Sequence, residues 1–321
     1  MSVLVTGSVA IDHIMVFPDR FDRHILKDQL HILNVVFAVP SLEKRFGGTA
    51  ANIAYNLRRL GEDPLVLATV GSDFGDYARW MDTCGIRRDL IRVLSDAFTA
   101  QCFITTDSAE NQISIFHPGA MDRGHEAKVA EVAEAFRVGI VAPNGKQAMQ
   151  EHARALKARG SICVVDPGQG LPLFDADELR EMIEGASIYI VNDYEWETTK
   201  ERLGWSEDEV AERVGALIVT RGERGSFLRR GGLDLDFGLD EERLELPAVK
   251  AEAVVDPTGC GDAYRSGLLY ALAHGLPLAD GARLGTVMGA LKIARSGPQS
   301  IVEDRDAIRA RFEREFGFAL P

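Results

Sequence analysis

From residue 137 onward the chain alternates short apolar runs with amphipathic stretches, and this rhythm restricts the fold more than any other feature of the sequence. A strand over 138–142 precedes a helix over 147–159, Gly160 ends that helix, and ICVVD (162–166) is the next strand. IYIVN (188–192) follows, then helices near 194–203 and 207–215, then LIVT (217–220). Strands so uniformly apolar are covered on both faces. The pattern therefore predicts an α/β fold, a doubly wound and mostly parallel sheet with helices on either side. VLVTG (3–7) reads as one more buried strand, and Asp12 stands just past its carboxyl end, where open α/β sheets bind ligands. A turn or cap residue is the other reading of that aspartate.

Residues 13–46 break the rhythm. HIMVF (13–17) and LNVVFAV (33–39) alternate as strands between polar loops, and AQCFITTD (100–107) with NQISIFH (111–117) reads as a hairpin. Together the two excursions, about 13–46 and 98–118, predict a small β lid within a single domain spanning 1–321. The acidic stretch 230–250 predicts short antiparallel strands and loops with a solvated face. No internal repeat, low-complexity tract or long linker interrupts the chain.

The stretch 252–275, EAVVDPTGCGDAYRSGLLYALAHG, concentrates the chemistry. An apolar run meets Asp256, a Pro-Thr-Gly-Cys-Gly turn follows, and a helical pattern opens at Asp262 with Tyr264, Gly267, Leu268 and Ala271 on one face. Two glycines before a helix let a ligand approach the backbone, and the free N–H groups of the first turn with the helix dipole favour an anion. Asp262 is then either a cap or a carboxylate held beside that anion to do chemistry. A second glycine pair, Gly47-Gly48, leads into a helix carrying Ala50, Ile53, Ala54, Leu57 and Leu60 at helical spacing, with Asn52 in its first turn. Asn192 and Glu195 stand three residues apart across a strand-to-helix turn, spaced to share a cap or a magnesium water shell. Thr220, Gly222 and Gly225 follow LIVT, where a nucleotide phosphate could lie against the backbone, or a plain turn could stand.

Several classes are excluded. The net charge of −13 disfavours nucleic acid and anionic membranes as partners. Cys84, Cys102, Cys163 and Cys260 form no C-x-x-C pair, which predicts reduced thiols in a cytoplasmic protein. No apolar run approaches the length of a membrane span. The P-loop pattern fails because Gln147 follows Gly145-Lys146 and Ile140 takes the first glycine position. The dinucleotide pattern fails because Tyr264 stands at the third glycine.

The surviving motifs resemble the ribokinase family of carbohydrate and nucleoside kinases (phosphofructokinase-B type). Asp256-Pro257-Thr258-Gly259-Cys260-Gly261-Asp262-Ala263-Tyr264 is similar to its D-T-x-G-A-G-D-x-F signature, Gly47-Gly48 with Asn52 to its first signature, Asn192–Glu195 to its N-x-x-E, and Thr220, Gly222 and Gly225 to its T-x-G-x-x-G. Pro257, Cys260 and Tyr264 depart mildly from the pattern. The resemblance implies a phosphotransferase using ATP and Mg2+. Asp262 would be the base, with the N–H groups of Gly259, Cys260 and Gly261 as an anion hole. Asp12, Gly48 and Asn52 would bind sugar hydroxyls, Asn192 and Glu195 would organise magnesium and phosphate, and Thr220, Gly222 and Gly225 would line the nucleotide. Asp256 and Thr258 occupy positions that in many relatives help bind a monovalent cation such as K+, with later residues around Gly297–Ser300.

The lid segments look most like the bacterial adenosine kinases of this family, which implies AMP formation in purine salvage. A nucleoside rewards aromatic contact with its base, and Phe37, Phe103 and Phe116 are the candidates, each of which could instead fill the lid's own core. A ribokinase-type sugar kinase and a catalytically silent nucleotide or sugar sensor are the alternatives. The exposed lid could pair with a second copy or close over its own site.

Overall fold

A computed structural model describes residues 2–25 and 34–320. The chain begins with β1 (Ser2–Thr6), β2 (Ala10–Val16), β3 (Leu42–Gly47), α1 (Thr49–Arg59), β4 (Leu65–Gly71), α2 (Gly75–Thr83) and β5 (Ile91–Leu94). A hairpin, β6 (Ala100–Thr106) and β7 (Gln112–His117), precedes β8 (Phe136–Val141), α3 (Lys146–Ala158), β9 (Ile162–Val165) and α4 (Ala176–Ile183). Then come β10 (Ile188–Asn192), α5 (Asp193–Leu203), α6 (Glu207–Ala211), β11 (Ala216–Thr220), β12 (Ser226–Arg230) and β13 (Arg243–Leu246). Three helices close the described chain: α7 (Cys260–His274), α8 (Leu278–Ile293) and α9 (Arg305–Phe316).

The main sheet has the order β13-β12-β11-β10-β9-β8-β1-β4-β5, parallel from β11 to β5 and antiparallel at β12 and β13. Alternation along each strand sends side chains into two separate cores. Val3, Val5, Val138, Ile140, Ile188 and Ile190 pack beneath α1, α7, α8 and α9. Leu4, Val141, Val165, Tyr189 and Val191 pack beneath α3, α4 and α5. The expected α/β architecture is thus present. Among the described residues no helix is long and apolar enough to cross a membrane.

The second sheet, β3-β2-β6-β7, is the lid. Residues 13–17 and the hairpin form strands as expected, but 34–39 do not; Leu33 lies outside the described residues, as do 26–32. The edge beside β2 is taken instead by β3, in antiparallel register from Ala10 opposite Gly47 to Met15 opposite Leu42. Phe37 is drawn into an aromatic cluster with Phe17 and Phe21, both rings at 4.9 Å. It therefore fills the lid's own core.

Smaller departures have local causes. The last helix of the motif region starts at Cys260, two residues before Asp262, because Gly259 sits in left-handed conformation (φ 80°) as its N-cap. α6 ends at Ala211 rather than 215, where the chain turns so that the Gly215 N–H can reach Ala186 O. Of the acidic stretch 230–250, Arg230 ends β12 and β13 alone pairs as a further strand.

Candidate active site

Two helix starts face each other at the carboxyl end of the parallel strands. Gly48, at φ 89°, caps α1 where a Cβ would run into Ser8 O, Val9 Cα and Ala10 N at 2.6–2.7 Å, so only glycine lets α1 begin so close to the first strand-to-lid turn. That closeness brings Asn52 into the interior, 5% exposed, with its Nδ2 donating to Asp262 Oδ2 at 2.8 Å. The two residues are thus brought together from opposite ends of the sequence.

A relay of amides fixes which end of Asn52 meets the carboxylate. Trp80 Nε1 donates to Gln299 Oε1 at 2.6 Å, and Gln299 Nε2 donates to Asn52 Oδ1 at 3.1 Å and to Tyr77 Oη at 2.7 Å. With its carbonyl so held, Asn52 presents a donor to Asp262, which favours the ionised acid. Burial works the other way and dominates. The Asp262 carboxyl is pushed up to about 6, against the Asn52 hydrogen bond and the charge of Arg265, with Asp166 adding to the rise. A carboxyl poised there accepts a proton near neutral pH.

Beneath Asp262 lies a buried ion pair that sequence reasoning missed. Arg265, one turn along α7, donates from Nη2 to Asp166 Oδ1 at 2.7 Å, with a second contact through Nε. Asp166 follows β9, and both side chains are almost wholly buried. Burial acts against the charge on each, and the partner's opposite charge acts for it; Arg265 stays a cation, while the Asp166 carboxyl is raised. Glu195, also raised by burial and by Asp166, completes a line of charges that runs from Asp262 through Arg265 and Asp166.

The start of α7 offers open donors. Cys260 N–H, expected in the anion hole, instead donates to Pro257 O at 3.1 Å and closes the turn, and the helical ladder begins with Ala263 N–H on Gly259 O. Among the described residues this leaves the N–H groups of Gly259, Gly261 and Asp262 without a protein acceptor. Asp256 accepts from Thr258 N at 2.9 Å, from Gly297 N at 2.8 Å and from Arg45 Nη1 at 3.3 Å. Although burial pushes its carboxyl up, the Gly297 and Thr258 donors outweigh that and hold it below the usual carboxylate range.

Asp12 lies within β2, not merely beyond β1, and half-buried. Desolvation raises its carboxyl, with His13 and Arg45 pulling it back. Its Oδ2 lies 2.8 Å from where a Cβ on Gly47 would stand, and the Pro298 ring flanks both Gly47 and Gly259. In register, Asp12 pairs with Cys102 and Cys102 with Phe116, so Asp12 and Phe116 share one face of the lid. Phe103 is on the other face, stacked on His13 at 4.6 Å.

Farther along the sheet, Asn192 and Glu195 form a reciprocal capping box on α5: Glu195 N donates to Asn192 Oδ1 and Asn192 N to Glu195 Oε2, each at 2.8 Å. The capping reading of this pair is therefore realised, with Glu195 Oε1 left over. Asn192 lies in register with Thr220 on β11, and Gly222 and Gly225 flank the short turn that follows. Arg45, Asp166, Arg265 and Gln299 carry no motif, and no spacing in the sequence marks them.

Comparison with known proteins agrees with this geometry. The model of the pfkB family of carbohydrate kinases matches residues 5–305. A nucleoside kinase from Methanocaldococcus jannaschii is 31% identical over 284 residues, 88% of this chain and 90% of that protein, and its crystal structure superposes with a TM-score of 0.85. A nucleoside kinase from Burkholderia thailandensis, solved in complex with inosine, is 46% identical with a TM-score of 0.86 and 99% of each chain covered; the same protein has been solved with ADP and inosine together. With a matching family model over almost its whole length, and a glycine-led helix start holding a carboxylate beside open N–H donors, the chain belongs to the pfkB family of carbohydrate kinases and is a phosphotransferase with a hydroxyl acceptor.

Proposed function

We propose that this kinase transfers the γ-phosphoryl group of ATP to the 5′-hydroxyl of a purine nucleoside, with adenosine as acceptor. The observation that carries the reading is the lid register, in which Asp12 and Phe116 stand on one face, two strands apart. Strands are spaced about 4.8 Å, so the carboxylate and the ring are about 10 Å apart, a span that fits ribose hydroxyls at one end and a flat base at the other. A flat base gains more from the ring than a free sugar does. Relatives of the chain are named nucleoside kinases, and one has been solved in complex with inosine, which supports a purine base in this pocket.

In this reading Asp262, held by Asn52, takes the proton of the attacking hydroxyl, and the Gly259 and Gly261 N–H groups meet the charge growing on the transferred phosphoryl. Cys260 shapes the turn. Asp12, Gly48 and Asn52 hold the ribose, while Asn192, Thr220, Gly222 and Gly225 border the nucleotide. The residues fit Mg2+ in its usual mode, bound mostly by phosphate and water: Glu195 keeps one carboxylate oxygen uncapped, on the line of charge that ends at Asp262. Magnesium there would screen the negative charge of the phosphates. The lid face away from Asp12 carries Met15, Leu42, Phe103, Ile113 and Ile115, an apolar strip suited to a second copy, which equilibrium sedimentation tests directly.

The deciding assay gives purified protein ATP, magnesium and adenosine, inosine, ribose or fructose at matched concentration. A higher kcat/KM for a nucleoside, with adenosine at or above inosine, is expected. Preference for ribose or fructose moves the assignment to a sugar kinase, and absence of turnover with every acceptor moves it to a silent sensor.

A further inference from the structure

Lys292 is the one lysine of the described chain whose side chain is fully buried, at 0% exposure. It lies near the carboxyl end of α8, and its Nζ donates to two main-chain carbonyls, Asp256 O at 2.9 Å and Arg295 O at 3.0 Å. These carbonyls belong to the segment that enters the Gly259–Gly261 turn and to the loop that leads to Gly297. The same two segments are tied again where Val255 N and Asp256 N donate to Ile293 O, and where Gly297 N donates to the Asp256 carboxylate.

Carbonyl oxygens gathered around one point with a carboxylate nearby are what a dehydrated K+ ion takes in place of its water shell. The family resemblance places a monovalent cation against Asp256 and Thr258. The residues present do not fit one. The Asp256 carbonyl is occupied by the Lys292 ammonium, and the Asp256 carboxylate already accepts from Thr258 N, Gly297 N and the Arg45 guanidinium. A free cation would have to displace hydrogen bonds and sit between two fixed positive charges. An ammonium group carries one charge and three donors, so it satisfies carbonyls as a bound cation does, and it costs no binding entropy once the chain is folded. The negative end of the α8 dipole favours it further. Burial lowers the basicity of Lys292, with Cys260 and Asp256 opposing that.

We propose that Lys292 is a tethered replacement for the monovalent cation, clamping the 256–258 segment to the 293–297 loop so that the anion-hole turn is held without K+. Lys292 is a positioning residue, since it touches the turn's support and not the reacting atoms. This inference rests on Gly259–Gly261 being the phosphoryl site but not on which acceptor is used.

The test measures turnover and melting temperature in choline chloride, KCl and LiCl at equal ionic strength, with ATP and acceptor supplied free of alkali ions. Wild type is expected to turn over within about twofold in all three salts and to melt at one temperature, because its cation is covalent. Lys292→Met keeps the unbranched chain and removes the charge. It is expected to lose about tenfold or more in turnover in choline chloride and to recover with KCl, not LiCl, with a matching KCl-specific rise in melting temperature. Activation of wild type by KCl over choline chloride overturns the proposal, as does a folded Lys292→Met that ignores KCl in both readouts. If Lys292→Met does not fold, the wild-type salt series decides alone. Melting needs no acceptor, so a wrong substrate assignment leaves that arm readable.

Discussion

In the main sheet β4 is buried at every residue, whereas in the lid β7 is exposed at every residue. The strands of the body are sandwiched between two helical layers; the lid sheet meets a helix where Tyr77 and Trp80 of α2 stack on Phe46 of β3, and it carries an aromatic cluster of Phe17, Phe21 and Phe37. Asp262, the proposed base, is anchored in the first region, and Asp12 and Phe116, the proposed acceptor contacts, stand on the second. At the start of α7, the Asn52 hydrogen bond holds Asp262 and desolvation against the body raises its proton affinity, an environment an exposed lid strand does not supply.

Substitutions in the two regions should therefore fail differently. The largest effect is expected for Asp262→Asn, a loss of roughly 10²–10⁴ in turnover with ATP binding retained, read by steady-state kinetics and calorimetry. Its pH signature is specific. The base works ionised, so wild-type kcat/KM should fall as pH drops through about 6, the value to which burial raises Asp262. Stability has the opposite sign: an acid whose folded pKa is raised binds its proton more tightly when folded, so the carboxylate destabilises the fold once pH rises past that value. Asp262→Asn should accordingly melt higher than wild type at pH 8, and the gap should close toward pH 4. Equal melting at both pH values would break the link between burial and basicity.

Next comes the ion pair beneath it. Arg265→Leu strands Asp166 as an uncompensated buried charge and should cost about 3–5 kcal/mol in denaturant unfolding, while the double change with Asp166→Leu should recover most of it. A single change no worse than the double would show that the pair is not coupled. Asp12→Ala belongs to the lid, and should weaken the acceptor by about 1.5–3 kcal/mol while ATP binding holds. Equal loss for both ligands would make Asp12 structural. The smallest effect is Phe116→Ala, about 1 kcal/mol in kcat/KM for the nucleoside with unchanged melting. Phe103→Ala, on the opposite face, should leave the acceptor KM unchanged, and a reversal of the two phenylalanines would reverse the face assignment.

How far the sequence could be read follows the same division. In the body, buried strands are continuous apolar runs, and 188–192 and the start of the 216–220 strand stand where alternation with helices puts them. In the lid the signal is short and shared with loops: Val35, Phe37 and Val39 alternate like a strand, yet the edge beside β2 is won by Leu42–Gly47, whose charged residues gave no apolar signal. Val254 and Val255, apolar beside the key turn, are exposed at 81% and 56%. Of the site, the glycines, Asp262 and Asn52 were legible because helix starts have local signatures. Gln299, Arg265 with Asp166, and Lys292 were not, since each acts through a partner far along the chain, and spacing carries no trace of such contacts.

The strand order has a consequence for how the protein comes into being. β1 lies between β4 and β8, so one of its edges stays open until residues 136–141 have been made. Asn52 waits longer still, for Asp262 and then for Gln299, before its amide is pinned at both ends. Structure therefore accumulates during synthesis while competence arrives last. A chain released before residue 262 has most of a sheet and lacks the Asn52–Asp262 contact.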